Sequence, residues 1–361
     1  QLLIKVCLTV SFKEVTLQNL SKMSIRVCVT DMHTGGEPLR IITSGYPEIK
    51  GNTLLEKRRY VKDHLDHMRT FLMHEPRGHF DQYGALLVEP DNKEADIAVL
   101  FMHNEGYSTM CGHAIIALGR YVVDNKLNKS CSNVFNGYAE TKIQCPCGMV
   151  RARVEINNGR SGAVSFVSVP AFAYRIDVTV KLPSYGEVKL DISFGGAFYA
   201  LVDVNQVSLN LLETPSTSLI TFANEVIRVV KENFKITHPF EEDLSFLYGA
   251  ILTDGNDSNP NEVSINLCIF ADSQLDRSPT GSGVTARMAL QHAKGLVGVN
   301  EQRSFVNSKT RSKFTGEIVQ TTKFGGYDAV QVKVEGHAYY TGESVFYNED
   351  GDTLSGGFLI K

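Results

Sequence analysis

Two short segments constrain this chain more than anything else in it: Met110-Cys111-Gly112-His113 and Asp276-Arg277-Ser278-Pro279-Thr280-Gly281-Ser282-Gly283. Each leads directly into a run that reads as a helix with small or apolar residues on nearly every side, Ala114-Ile115-Ile116-Ala117-Leu118 after the first and Val284-Thr285-Ala286 after the second. A helix of that kind belongs inside a core and has to be wrapped. Cys111 and Thr280 lie 169 positions apart in a chain of 361, close to half its length. The expected architecture is therefore α+β, with two β-rich units each enclosing a central helix. Matched position by position, one half-site offers a thiol where the other offers only a hydroxyl.

The rest of the chain reads as many short strands and few helices. Strand patterns fall at 25–30, 84–88, 97–101, 150–156, 162–169, 188–192, 197–202, 248–254, 262–270, 314–320 and 329–336, separated by Gly, Asn and Asp clusters. Helices are expected at 53–64, 114–125, 205–212, 219–234 and 284–292. Strands and helices do not alternate regularly, which argues against a doubly wound parallel sheet. A junction near Pro170 to Pro183 divides the chain into a first unit, 23–176, and a second, 177–341, with 342–361 packing back on the first. Residues 1–22 read as an extension before Met23. Lys5 and Lys13 interrupt their apolar opening and no small-residue cleavage pattern follows, so a secretory signal is not expected.

Composition excludes several function classes. A net charge of −4 offers no case for nucleic acid or an anionic membrane surface. No apolar stretch approaches the ~20 residues that span a bilayer. Seven cysteines, odd in number and irregularly spaced, point to reduced thiols and a cytoplasmic setting.

The chemistry follows from the two helix starts. A helix N-terminus leaves backbone N–H groups unpaired and carries about half a positive charge. Gly112–His113 and Gly281–Ser282 are thus expected to hold a carboxylate, with glycine permitting its close approach. The same positive end is expected to lower the Cys111 thiol from about 8.5 into the roughly 3.5–7.5 range, where it serves as a base. Thr280 has no activating neighbour in the sequence. Plainer readings stand beside these: Cys111 as a packing residue, His113 as a cap or satisfied core histidine, Asp276 as a partner of Arg277 or the start of a turn. Cys145-Pro146-Cys147 lacks the nearby Cys or His of a zinc site, and His103, Cys111 and His113 match no ligand spacing, so no metal is expected. His64, His67, His74 and His79 sit in or near a polar connection and read as solvated or packing residues. Arg77 and His79 are candidates for bridging elements; His33 and Glu37 organise the first unit or border the cleft.

Asp31-Met32-His33-Thr34-Gly35-Gly36-Glu37-Pro38, Glu75-Pro76-Arg77-Gly78-His79 and the two half-site segments together resemble the proline racemase family, in consistent order from about Met23 onward. The resemblance implies a diaminopimelate-epimerase-like fold of two pseudo-symmetric domains, a site between them, no cofactor and a homodimer. It implies that Cys111 is the proton acceptor, that Gly112 and His113 bind substrate beside it, that Asp276 faces the ring nitrogen of an imino acid, and that Gly281 and Ser282 form the second backbone clamp. Family racemases and hydroxyproline epimerases carry a second cysteine where this chain has Thr280. The Cys-then-Thr pattern is similar to the branch that removes water from trans-3-hydroxy-L-proline, leaving 1-pyrroline-2-carboxylate. Three other readings remain: proline racemisation or 4-hydroxyproline 2-epimerisation, an imino-acid-binding protein without catalysis and, a distant third, a metal-dependent hydrolase.

Overall fold

The computed structural model describes residues 23–129, 134–259 and 262–360. The expectation for 1–22 lies outside them. Five α-helices occur among the described residues: α1 (Leu54–His64), α2 (Asp66–Met73), α3 (Gly112–Asp124), α4 (Ser216–Asn233) and α5 (Gly281–Ala293). Among the same residues, seventeen strands join in one hydrogen-bonded network.

The two halves repeat one strand plan. In the first, Glu37–Ser44 pairs parallel with Gly84–Val88, which pairs antiparallel with Ile97–Met102; α3 then crosses to Gly137–Cys145, parallel to Ile97–Met102. In the second, Phe198–Asp203 pairs parallel with Leu247–Thr253, which pairs antiparallel with Ser264–Phe270; α5 then crosses to Gln302–Asn307, parallel to Ser264–Phe270. Each crossover strand opens an antiparallel meander, and the meanders join where Arg160–Val167 pairs with Tyr327–Gly336. The α+β reading with two wrapped helices therefore holds, and the repeat runs through the strand pairing rather than only the helix starts. At the chain ends, Ala338–Glu349 pairs antiparallel with Met23–Thr34 along most of its length.

Packing follows from composition. Every residue of α3 from Gly112 to Gly119 is buried, and every residue of α5 from Gly281 to Gln291. Ile115 and Ile116 from α3 share one continuous core with Val284 and Met288 from α5. Each such aliphatic side chain contributes about 1.5–3 kcal/mol on burial. The one charged residue in this run, Arg287, lies over the Phe305 ring at 4.8 Å and pairs with Asp257. Helix α4 turns Leu219, Phe222, Val226 and Val230 into a second core, and α1 and α2 cover a third.

Two local expectations change. The helix expected at 205–212 is a single 3-10 turn, Val204–Val207; Asp203 starts it by accepting from the Asn205 N–H, and Ser208 ends it in the left-handed region at φ 56°. The connection holding His67 and His74 contains α2, whose Met68, Phe71 and Leu72 are buried; the i, i+3, i+4 spacing was there, masked by the histidines. The strand Phe172–Leu182 runs through the stretch near Pro170 to Pro183 where the junction is expected. No described helix is long and apolar enough to cross a membrane.

Candidate active site

The N-termini of α3 and α5 meet end to end. A Cβ placed on Gly112 would lie 2.3 Å from the Gly281 Cα, and one on Gly281 would lie 2.6 Å from the Gly112 Cα. Neither position needs glycine for its φ. Both need it because two backbones touch, and a methyl group on either would push the helix ends apart. Glycine was expected here so that a ligand could come close; the nearer reason is the opposite helix. This contact aims both sets of first-turn N–H groups, and both helix dipoles, at one spot.

Cys111 caps α3. Its backbone is extended and its Sγ accepts from the Ala114 N–H at 3.4 Å. The Cys111 Sγ also lies 3.2 Å from Nδ1 of His113, whose carbonyl accepts from the Thr34 hydroxyl at 2.8 Å. Thr280, the matching residue of α5, makes no side-chain cap. Its hydroxyl instead donates to Asp276 Oδ2 at 2.6 Å. This corrects the expectation that no partner adjoins Thr280. The side chain is turned by its backbone, φ 67° and ψ 96°, a region costly for a β-branched residue, at about 1–3 kcal/mol. The surroundings hold it there. Asn307 donates to the carbonyls of Asp276 and Ser278 at 2.7 and 2.9 Å, and Asn266 to that of Pro279 at 3.1 Å. The Ser278 N–H takes the other Asp276 oxygen at 2.7 Å. Asp276 is therefore not a partner of Arg277, whose guanidinium pairs with Asp81 at 2.6 Å.

Burial dominates the electrostatics. Cys111 is 5 % exposed, and loss of solvent pushes its thiol well above its ordinary value; the Ala114 N–H and the Tyr83 hydroxyl pull the other way. The expected lowering by the helix end is outweighed by burial, which favours the neutral thiol. Burial also lowers His113 to about 3 and leaves it a neutral imidazole. Asp276 rises to about 6, again through burial, against the hydrogen bonds from Thr280 and Ser278. Glu37 is fully buried, accepts from the Arg277 N–H at 2.6 Å through Oε2, and leaves Oε1 without a partner. Burial, then the nearby Asp276 charge, push it well above the carboxylate range. Its hydrogen bond to Arg277 puts it beside the Asp276–Gly283 segment, at the border of the cleft.

Cys111, Gly112, His113, Asp276, Thr280, Gly281 and Ser282 all line one tight cavity of about 10 Å³, room for about one water. Its remaining walls are Tyr83, Met110, Tyr199, Tyr248 and Phe270. Tyr248 stacks on Phe270 with centroids 5.4 Å apart, and the Tyr199 hydroxyl bonds to that of Ser282 at 2.7 Å. Sequence reading missed these aromatic walls. They come from four separate strands or strand edges and no spacing links them; only the adjacency of Met110 to Cys111 was a signal. The walls give an aromatic, mostly apolar lining beside the two helix starts.

Comparison with known proteins agrees with this arrangement. The sequence pattern of the family described as proline racemase matches residues 29–359. A trans-L-3-hydroxyproline dehydratase of Saccoglossus kowalevskii is 54% identical, over 91% of this chain and 100% of its own. A trans-3-hydroxy-L-proline dehydratase of Homo sapiens is 52% identical, over 92% of this chain and 94% of its own. The crystal structure of a hydroxyproline epimerase from Agrobacterium vitis, 23% identical, superposes with a TM-score of 0.87 over 94% of this chain and 96% of that one, which shows the common fold. On the extent of the family match and the identity to these relatives, the chain belongs to the proline racemase family.

Proposed function

We propose that this chain is a hydro-lyase that removes water from trans-3-hydroxy-L-proline to give 1-pyrroline-2-carboxylate. The observation that carries the reading is the inequality of the two helix starts. Cys111 presents a thiol to one face of the cavity, while Thr280, on the other, has committed its proton to Asp276. Relatives at 52–54% identity bearing the dehydratase name support it.

The substrate carboxylate meets the N–H groups of Gly112–His113 and Gly281–Ser282, which also stabilise the charge that develops when the Cα proton leaves. The ring ammonium faces Asp276. That positive charge favours the thiolate over the thiol, against the burial that favours a neutral Cys111. Cys111 then takes the Cα proton. In this diastereomer the 3-hydroxyl is trans to the carboxylate, on the same face as that proton, so the new thiol can return it to the departing oxygen. The C3–O bond breaks, water leaves, and the resulting enamine tautomerises to the imine. Racemisation would need a proton delivered from the opposite face, where Thr280 has none to give.

The cytoplasmic location and homodimer expected from cysteine usage and family resemblance are part of this proposal. So is the division into 23–176 and 177–341 with 342–361 returning to the first unit; one wrapped helix in each half and the pairing of Ala338–Glu349 with Met23–Thr34 support it. The test is incubation with trans-3-hydroxy-L-proline and with L-proline in deuterated water. Conversion of the first without inversion of the second is expected. Inversion of L-proline would make Thr280 no barrier, and binding without turnover would favour the imino-acid-binding reading.

A further inference from the structure

Of the twelve residues lining the inner cavity, Tyr248 alone is not buried, and it also lines a larger neighbouring pocket of about 400 Å³. Behind it, His103 packs edge-on against Tyr248 and Phe270, each at 6.1 Å, completing the partition between the two spaces. The outer pocket is open and charged. Arg58 and Lys62, one turn apart on α1, and Lys231, in the last turn of α4, bring three cations to it. Glu105 and Asp243 are its acids, and Asp243 is engaged by Arg59 at 3.0 Å.

The charged ends are left open. Arg58 spends one nitrogen on the Tyr107 carbonyl at 2.6 Å, and its buried Nε has no partner. Among the described residues, the side chains of Lys62, Lys231 and Glu105 enter no hydrogen bond or ion pair, although all three are exposed. A pocket with spare cations, one spare carboxylate and the apolar faces of Phe246 and Tyr248 complements a small ring bearing both a carboxylate and an ammonium. An ordinary anion would use the cations and leave Glu105 repelled.

The geometry points to this outer pocket as a loading site for a zwitterionic imino acid, with the Tyr248 side chain as the door to the inner cavity. This rests on the imino-acid reading above and adds the route by which the ligand arrives. The cations take the carboxylate and Glu105 the ammonium, orienting the ring before Tyr248 moves aside. Because the site acts on encounter, its loss slows entry and exit together and leaves the final affinity nearly unchanged.

The test is stopped-flow association of L-proline with the full chain, read by tyrosine fluorescence in a protein with 14 tyrosines and no tryptophan. Lys62→Gln/Lys231→Gln and Glu105→Gln are each expected to slow association about three- to tenfold, the scale of one or two partly exposed charge contacts. Tetrahydrofuran-2-carboxylate, which lacks the ammonium, should respond to the lysine pair but not to Glu105→Gln. Association within about twofold of wild type in both variants overturns the proposal, as does an affinity loss confined to dissociation, or no binding of L-proline at all. Turnover of trans-3-hydroxy-L-proline is measured in parallel. Its absence, with the association rates altered as expected, would sink the dehydratase reading and leave the loading site standing.

Discussion

The starts of α3 and α5 occupy equivalent places in a repeated strand plan, yet they handle their first side chain in opposite ways. Cys111 keeps an extended backbone and turns its sulfur onto its own helix, within 3.4 Å of the Ala114 N–H. Thr280 takes a positive φ and turns its oxygen away, onto Asp276 at 2.6 Å. A side chain held against a helix N-terminus gains from the local positive end as it becomes an anion. One bound to a carboxylate does not, because that oxygen already accepts its proton. Two helix starts that look alike in sequence thus separate into one whose sulfur caps its own helix and one whose oxygen is fixed on Asp276; in the proposed reaction the first is the proton acceptor.

The largest way to break this comparison is Cys111→Ser. Turnover is expected to fall about 10²–10⁴-fold, the usual weight of a positioned base, with the thermal midpoint kept. Retention of more than a tenth of wild-type turnover would mean that the base is elsewhere. Gly281→Ala comes next. The added methyl meets the Gly112 backbone, so both halves should part and the fold lose about 1–3 kcal/mol in urea titration; unchanged stability together with unchanged turnover would show that the helix ends need not touch.

A pH profile sharpens the contrast. With Asp276 raised to about 6 by burial and needed ionised for the ring ammonium, kcat/KM should rise with pH through about 6, and Asp276→Asn should erase that limb along with most activity. The sign for stability is the reverse. The folded state holds the Asp276 proton more tightly than the unfolded chain, so its contribution is full below about 4, the unfolded value, and is lost as pH rises through about 6. The smallest effect expected is for Thr280→Val. Removing the hydroxyl removes a bond that lowers Asp276, so the acid limb should move up, by less than about one unit. A limb that stays in place would show that Thr280 does not govern Asp276. Thr280→Cys, tested by Cα deuteration of L-proline, should admit slow exchange.

Much of the fold was legible in the chain. The apolar runs after Cys111 and Thr280 required two wrapped helices, and alternation marked many of the strands around them. What escaped was decided by contacts with no sequence spacing. The short turn at 204–207 depends on an Asp203 cap and a left-handed Ser208, and α2 was hidden by its histidines. The site shows the same division. Its seven motif residues could be named from two segments, whereas Tyr83, Tyr199, Tyr248 and Phe270 reach the cavity from strands far apart in the chain. Glu37 was read as organising the first unit or bordering the cleft; its complete burial beside Arg277 appears once the halves close.

Residue identity and order alone determined that a thiol and a hydroxyl would stand at matching helix starts, because local sequence sets where an apolar helix begins. The tertiary structure decided what each would do. Burial, a property of the whole packed molecule, outweighed the helix end at Cys111 and favoured the neutral thiol. A loop held by Asn266 and Asn307 turned Thr280 toward Asp276. Solvent exclusion and long-range hydrogen bonds arise only when both halves are assembled, so neither could be read from a segment of the chain.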